Sequence, residues 1–126
     1  MTPEALLAHC LAKPGAWPDF PWGEGPGGHD HPVIKVGPGE RGKIFAFVGA
    51  TGVGVKAGPT REVADEWLAR YPGAASVMAY LGRSGWNDLA FGNAIPDEEL
   101  LEAVDESYRL VVSRLPRGLR PAGWDC

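Results

Sequence analysis

Residues 97–115 carry Leu101, Val104, Tyr108, Val111, Val112 and Leu115 at the three-and-four spacing of a helix with one buried face. Such a stripe must lie on an apolar surface, so this one segment dictates a layered fold. Pro96 or Asp97 opens the helix, and Asp97, Glu98 and Glu99 place negative charge at the positive end of its dipole. Arg109 and Arg114 lie toward the opposite end, where cations suit the dipole, and Pro116 closes the segment.

The layer beneath it is written upstream. Residues 32–36 (PVIKV) and 43–48 (KIFAFV) flank a Gly- and Pro-containing connection, as a hairpin with a long loop would. Residues 52–57 (GVGVKA) alternate Val53, Val55 and Ala57 with Gly54 and Lys56, the pattern of a half-buried strand. Residues 76–81 and 86–91 form a second expected hairpin around Gly82-Arg83-Ser84-Gly85. Two shorter helices complete the set. One opens at Thr2-Pro3-Glu4, with Leu6, Leu7, Cys10 and Leu11 as its stripe. The other opens at Thr60, with Val63, Ala64, Trp67, Leu68 and Tyr71 on one face. Residues 16–31 hold Trp17, Phe20 and Trp22 among prolines and glycines, and read as an ordered but irregular segment packed over something apolar. The expected fold is an α+β two-layer sandwich in the order α-β-β-β-α-β-β-α. Its antiparallel sheet has about five strands, with helices on one face.

At 126 residues and 13.4 kDa the chain fits one domain, expected over residues 1–120 with a short tail at 121–126. Eighteen glycines and 12 prolines approach the share at which disorder sets in, but 44% hydrophobic residues and five tryptophans supply a core. A net charge of −4 excludes a strongly basic DNA-coating protein. No apolar run reaches the ~18 residues of a membrane span, and residues 1–13 lack the basic start of a signal peptide. Cys10 and Cys126 make no disulfide framework, so a reducing cytoplasm is the expected compartment.

Strand parity locates a candidate binding face. With Ile34, Val36, Ile44, Ala46, Val48, Val53 and Val55 turned to the helices, Lys35, Lys43, Phe45, Phe47 and Lys56 turn away together. Lysines beside aromatic platforms suit single-stranded nucleic acid, phosphate to cation and base to ring. The alternative is a second small core in which Trp17, Phe20 and Trp22 cover Phe45 and Phe47. A further basic run, Arg109, Arg114, Arg117 and Arg120, reads either as phosphate contacts or as a solvated helix end with its tail.

Other patterns carry less. His29-Asp30-His31 offers two imidazoles and a carboxylate without a further ligand nearby, short of a metal site. The acids from Asp97 to Glu106 follow from helix polarity without iron. Residues 49–56 (GATGVGVK) miss the phosphate-loop spacing, lack the following Ser or Thr, and lead into Ala57-Gly58-Pro59. No nucleophile, base and orienting group assemble, so the expectation is a non-enzyme without cofactor or metal. Ser107 and Tyr108 read as a buried hydroxyl contact and packing.

The chain resembles the MmcQ/YjbR family of small bacterial proteins over roughly residues 2–120. The matching residues include Cys10-Leu11, Pro14-Gly15-Ala16, Asp19-Phe20-Pro21, Lys35-Val36, Phe45-Ala46 and Val55-Lys56. They continue with Tyr71-Pro72-Gly73, Trp86-Asn87, Pro96-Asp97, Ser107-Tyr108 and Leu115-Pro116. The resemblance implies a CyaY-like (frataxin-like) two-layer fold and a DNA-binding role, with no enzymatic activity attached. One departure stands out: where family members tend to carry histidine, asparagine and lysine before the tryptophan, this chain has Tyr80-Leu81-Gly82-Arg83-Ser84-Gly85. The combined expectation is a cytoplasmic monomer binding DNA weakly, with Lys35, Lys43, Lys56 and Arg83 on phosphate and Phe45 and Trp86 as stacking platforms. The alternative is a module for a protein partner or small ligand.

Overall fold

The computed structural model describes residues 1–20 and 32–125. Three α-helices, α1 (Pro3–Leu11), α2 (Arg61–Arg70) and α3 (Asp97–Ser113), accompany six strands. The strands are β1 (Ala16–Asp19), β2 (Val33–Val36), β3 (Lys43–Val48), β4 (Gly52–Lys56), β5 (Ala75–Val77) and β6 (Trp86–Ala90). They form one antiparallel sheet in the order β1-β2-β3-β4-β6-β5. All three helices cover one face, giving the expected α+β architecture. α3 lies over β3 and β4, α1 beside it over β1 and β3, and α2 over β5 and β6.

The helices form where their caps and stripes dictate. Thr2 Oγ1 accepts from the Ala5 amide at 3.1 Å and Thr60 Oγ1 from the Val63 amide at 3.3 Å, each satisfying a donor that the first helical turn leaves free. The α3 face buries Leu100, Val104, Tyr108, Val111 and Val112, with Leu115 just beyond it. Each such side chain is worth about 1.5–3 kcal/mol of transfer free energy. Leu6 and Cys10 of α1 and Ala64 of α2 are buried, whereas Leu11 and Val63, expected on the same stripes, stay exposed. Short helices laid across a sheet edge bury a narrower strip than their periodicity offers.

The sixth strand is β1, within the segment expected to be irregular. Its sequence, Ala-Trp-Pro-Asp, contains a proline and so lacks one ladder donor, which an edge strand tolerates because only one side of it is paired. Trp17 fixes it further by donating its indole N–H to the Gly37 carbonyl at 2.7 Å. At the other edge, β5 stops at Val77, short of the expected residue 81. The chain leaves the ladder once the Met78 amide has reached the Trp86 carbonyl, and turns through Gly82–Ser84. Past Arg120, Trp124 packs against the core and stacks on the Arg120 guanidinium at 5.6 Å.

Candidate nucleic-acid interface

Between β2 and β3 the register slips by one residue. Ile34 faces Ala46 and Lys35 faces Ile44, leaving Phe45 as the extra residue of a β-bulge. The bulge turns Phe45 into the helix layer, where it is fully buried and meets the Tyr108 ring edge-on at 5.2 Å. This corrects the expected outward orientation of Phe45: it belongs to the core and offers no stacking platform. Ile44, expected inward, instead shares the open face with Lys35, and Lys43, expected outward, pairs with the buried Val36 and so lies on the helix side at the strand's exposed start. Alternation assigns faces correctly only while the ladder has no inserted residue.

The bulge leaves backbone groups to be satisfied, and α3 supplies the partner. Ser107 Oγ donates to the Phe45 carbonyl at 2.6 Å and accepts from the Lys56 amide at 2.9 Å. One buried hydroxyl thus bridges β3 and β4 where their pairing, which runs only from Ala46 to Val48, has ended. Beside it the Tyr108 hydroxyl donates to the Pro14 carbonyl at 2.6 Å, tying α3 to the turn after α1.

The open face is not the basic surface that parity suggested. Lys35 does point outward, but its ammonium lies 2.7 Å from the Asp19 carboxylate and 5.4 Å from the Trp17 ring centroid. That contact holds the Asp19 carboxyl below the usual range. Trp86 is 8% exposed, its ring set edge-on against Phe47 at 5.6 Å, so it too is mainly a packing residue. Trp17 and Lys35 share a register position, while the expected cover from Trp22 lies outside the described residues.

The cations collect elsewhere. Of the 12 lysines and arginines, Lys13, Lys35, Arg61, Arg70 and Arg109 form ion pairs. The other seven, Arg41, Lys43, Lys56, Arg83, Arg114, Arg117 and Arg120, have no ion-pair partner among the described residues, and the topology brings all of them to one end of the sheet. That end is where β2 finishes, β3 begins, β4 finishes and β6 begins. Arg83 sits in the β5–β6 connection, and Lys56 Nζ donates to the Ser84 carbonyl there at 2.8 Å. Arg114 caps α3, and Arg117 and Arg120 follow it. Burial pushes the Lys56 ammonium below its usual pKa, and the nearby Arg114 charge pushes it further. Lys43, Lys56 and Arg83 are therefore brought together; Lys35 and Phe45 are not with them. Glu40 is the carboxylate that the β2–β3 connection adds to this end.

One aromatic at this end was missed in the sequence. Tyr80, in the β5–β6 connection, is fully exposed and adopts φ +65°, a left-handed conformation uncommon for a residue with a Cβ. Reading residues 76–81 as a strand hid it, since a strand would have buried or paired it. The signal available was the chain's departure from the family pattern at this same stretch.

The YjbR family model matches residues 11–110. The chain belongs to the YjbR family. The crystal structure of the Deinococcus radiodurans protein DR2400, described with a DUF419 domain, is similar to it, with TM-score 0.78 and 22% identity over 94% of this chain and 85% of that one. A Pseudomonas syringae protein of known structure is also similar, with TM-score 0.68 and 14% identity over 88% of this chain and 99% of that one. No curated protein matches the sequence. Several residues that carry the YjbR resemblance hold the scaffold together. Asn87 is fully buried, donates to the Ala64 carbonyl at 2.9 Å and accepts from Arg61, locking α2 to β6, while Ser107 and Tyr108 make the contacts given above. The exposed chemistry lies in the 80–85 connection and after the end of α3.

Among the described residues no cluster of three or more His, Cys, Asp or Glu is placed to hold a metal, and His29-Asp30-His31 lies outside them. Residues 52–56 of the GATGVGVK run are strand β4, entered by a hairpin. Cys10 is buried and its thiol is pushed up to about 12 by burial. Among the described residues, no helix is long and apolar enough to cross a membrane.

Proposed function

We propose that this YjbR-family domain is a non-catalytic binding module that holds DNA at the cationic end of its sheet, preferring single strands. Lys43, Lys56, Arg83 and Arg114 take phosphates, and Tyr80 provides the ring on which a base stacks. The observation that carries this reading is the gathering of seven cations without described carboxylate partners at one end of a chain whose net charge is −4. Holding Lys56 near Arg114 costs electrostatic free energy in the free protein, and a bound phosphate removes that cost. Tyr80 supports the same reading, because a strained backbone and a fully exposed ring are both unfavourable without a ligand.

Four phosphate contacts on a single strand give a log–log salt slope of about −3, so binding is weak at physiological salt and clear below it. Anisotropy titration of a labelled oligonucleotide, single- and double-stranded, at low and moderate salt tests this. The expected result is salt-sensitive binding, favouring the single strand, that falls by about tenfold or more in a Lys56→Ala/Arg83→Ala/Arg114→Ala chain and is unchanged by Lys35→Ala. Absence of binding at low salt, or equal binding by the triple variant, overturns the reading.

A further inference from the structure

The opposite end of the open face has different chemistry. One cross-strand row, Asp19, Val33, Phe47, Gly54, Asp88 and Ser76, runs from β1 to β5 with every member turned away from the helices. In its middle residue 54 has no side chain, which lets its neighbours close in over the backbone. A Cβ there would stand 3.0 Å from Met78 Sδ and 3.3 Å from Asp88 Oδ1, so both side chains lean over the glycine. Around this row, toward the β3–β4 hairpin, lies a cavity of about 470 Å³ lined by Pro32, Val33, Phe47, Gly54, Ser76 and Asp88 among others. That volume is within the range of small-molecule sites, and the lining side chains are apolar apart from the hydroxyls of Thr51 and Ser76 and the Asp88 carboxylate.

We infer that this cavity is a binding site for a small organic cation with an apolar body, such as an arylalkyl amine, whose charge pairs with Asp88 while its body lies along Phe47 and Val33. Asp88 has no ion-pair or hydrogen-bond partner among the described residues, unlike Asp19 at the other end of the row, which holds Lys35. Its carboxyl is raised above the ordinary range by desolvation, which means the free protein carries a charge that a bound cation would relieve. The Phe47 ring adds a face that attracts cations, and the Met78 thioether adds a polarisable neighbour. A metal ion fits poorly, because Asp88 belongs to no group of three or more His, Cys, Asp or Glu among the described residues. Phosphate esters are repelled by the same carboxylate, so the site is chemically distinct from the cationic end.

The test uses three matched probes, phenethylamine, 2-phenylethanol and phenylacetate, titrated into the ¹⁵N-labelled full chain. The amine is expected to shift the amides of Gly54, Ser76 and Asp88 saturably, and to bind about tenfold or more tightly than the alcohol, with phenylacetate weakest. Asp88→Asn should bring the amine down to the affinity of the alcohol while leaving the spectrum dispersed, since the side chain is exposed. In the unsubstituted chain the amine should also lower the Asp88 carboxyl titration midpoint, a readout that needs no variant. Equal binding of all three probes, an unchanged amine affinity in Asp88→Asn, or no saturable shift by the amine overturns the inference. None of these outcomes bears on the cationic end, whose amides respond to oligonucleotide instead.

Discussion

Replacing Ser107 with alanine removes a single oxygen, yet it should be among the costlier small substitutions in the chain. That oxygen serves two backbone groups from different strands, the Phe45 carbonyl at 2.6 Å and the Lys56 amide at 2.9 Å. Alanine leaves the carbonyl buried without a partner and the amide partly so. Each orphaned group costs about 1–3 kcal/mol, and partial access of water to the Lys56 amide puts the sum near 3 kcal/mol. The Cβ atom is retained, so no cavity term of consequence is added. For a domain of this size that corresponds to a fall in Tm of roughly 10 °C. Urea unfolding followed by tryptophan fluorescence gives the free energy, with Ser113→Ala as control, because the Ser113 hydroxyl is exposed and only returns to the Leu110 carbonyl of its own helix. A Ser107→Ala loss no larger than the control's, within about 0.5 kcal/mol, would refute the argument that this hydroxyl completes the ladder at the bulge.

Other substitutions and conditions test separate parts of the account. Asp105 accepts from Lys13 at 2.6 Å and His9 at 2.7 Å; burial alone would raise its pKa, but these partners outweigh burial and lower it. A depressed carboxyl stabilises the fold above its unfolded value and loses that contribution as pH falls through the folded one. The chain should therefore lose stability below about pH 4 more steeply than its Asp105→Asn variant, in urea titrations across that window. Gly85 has φ +96° and a Cβ there would lie 2.4 Å from the Gly58 carbonyl oxygen, so Gly85→Ala should cost about 2 kcal/mol or more, while Gly118→Ala, which meets nothing within 4 Å, should cost far less. Cys10, buried and with its thiol raised to about 12, should resist a thiol reagent at pH 8 in a Cys126→Ser chain and react fully only in denaturant.

The layered architecture was legible because α3 carries a strong helical stripe and β2 to β4 are short apolar-rich runs separated by glycine-containing turns; β3 begins and ends at the residues expected of it. β1 was not legible, since a four-residue edge strand containing Pro18 has neither alternation nor the full set of donors. The site suffered from one local event. A bulge between Ile34 and Lys35 on one side and Ile44 and Ala46 on the other reverses the facing of Lys43, Ile44 and Phe45, and no residue type announces it. The lysines fared differently because charge cannot be placed by strand parity alone. Lys35 lies on the expected face but is neutralised by Asp19, a partner on the strand that the sequence did not reveal. Lys43, Lys56 and Arg83 converge through topology, at strand ends that parity does not distinguish from strand middles. The arginines after α3, read as phosphate contacts or a solvated tail, join them because the helix ends over the same edge of the sheet.

The central claim is that anions meet this domain at the end of the sheet and not on its open face. Adding a short single-stranded oligonucleotide to the ¹⁵N-labelled chain at low salt tests it most directly, amide by amide. The account predicts saturable shifts at Lys43, Lys56, Tyr80, Arg83, Arg114 and Arg117, with Asp19, Val33 and Asp88 unmoved. Shifts centred on Lys35, Val33 and Asp88 instead, or none at all, would contradict it.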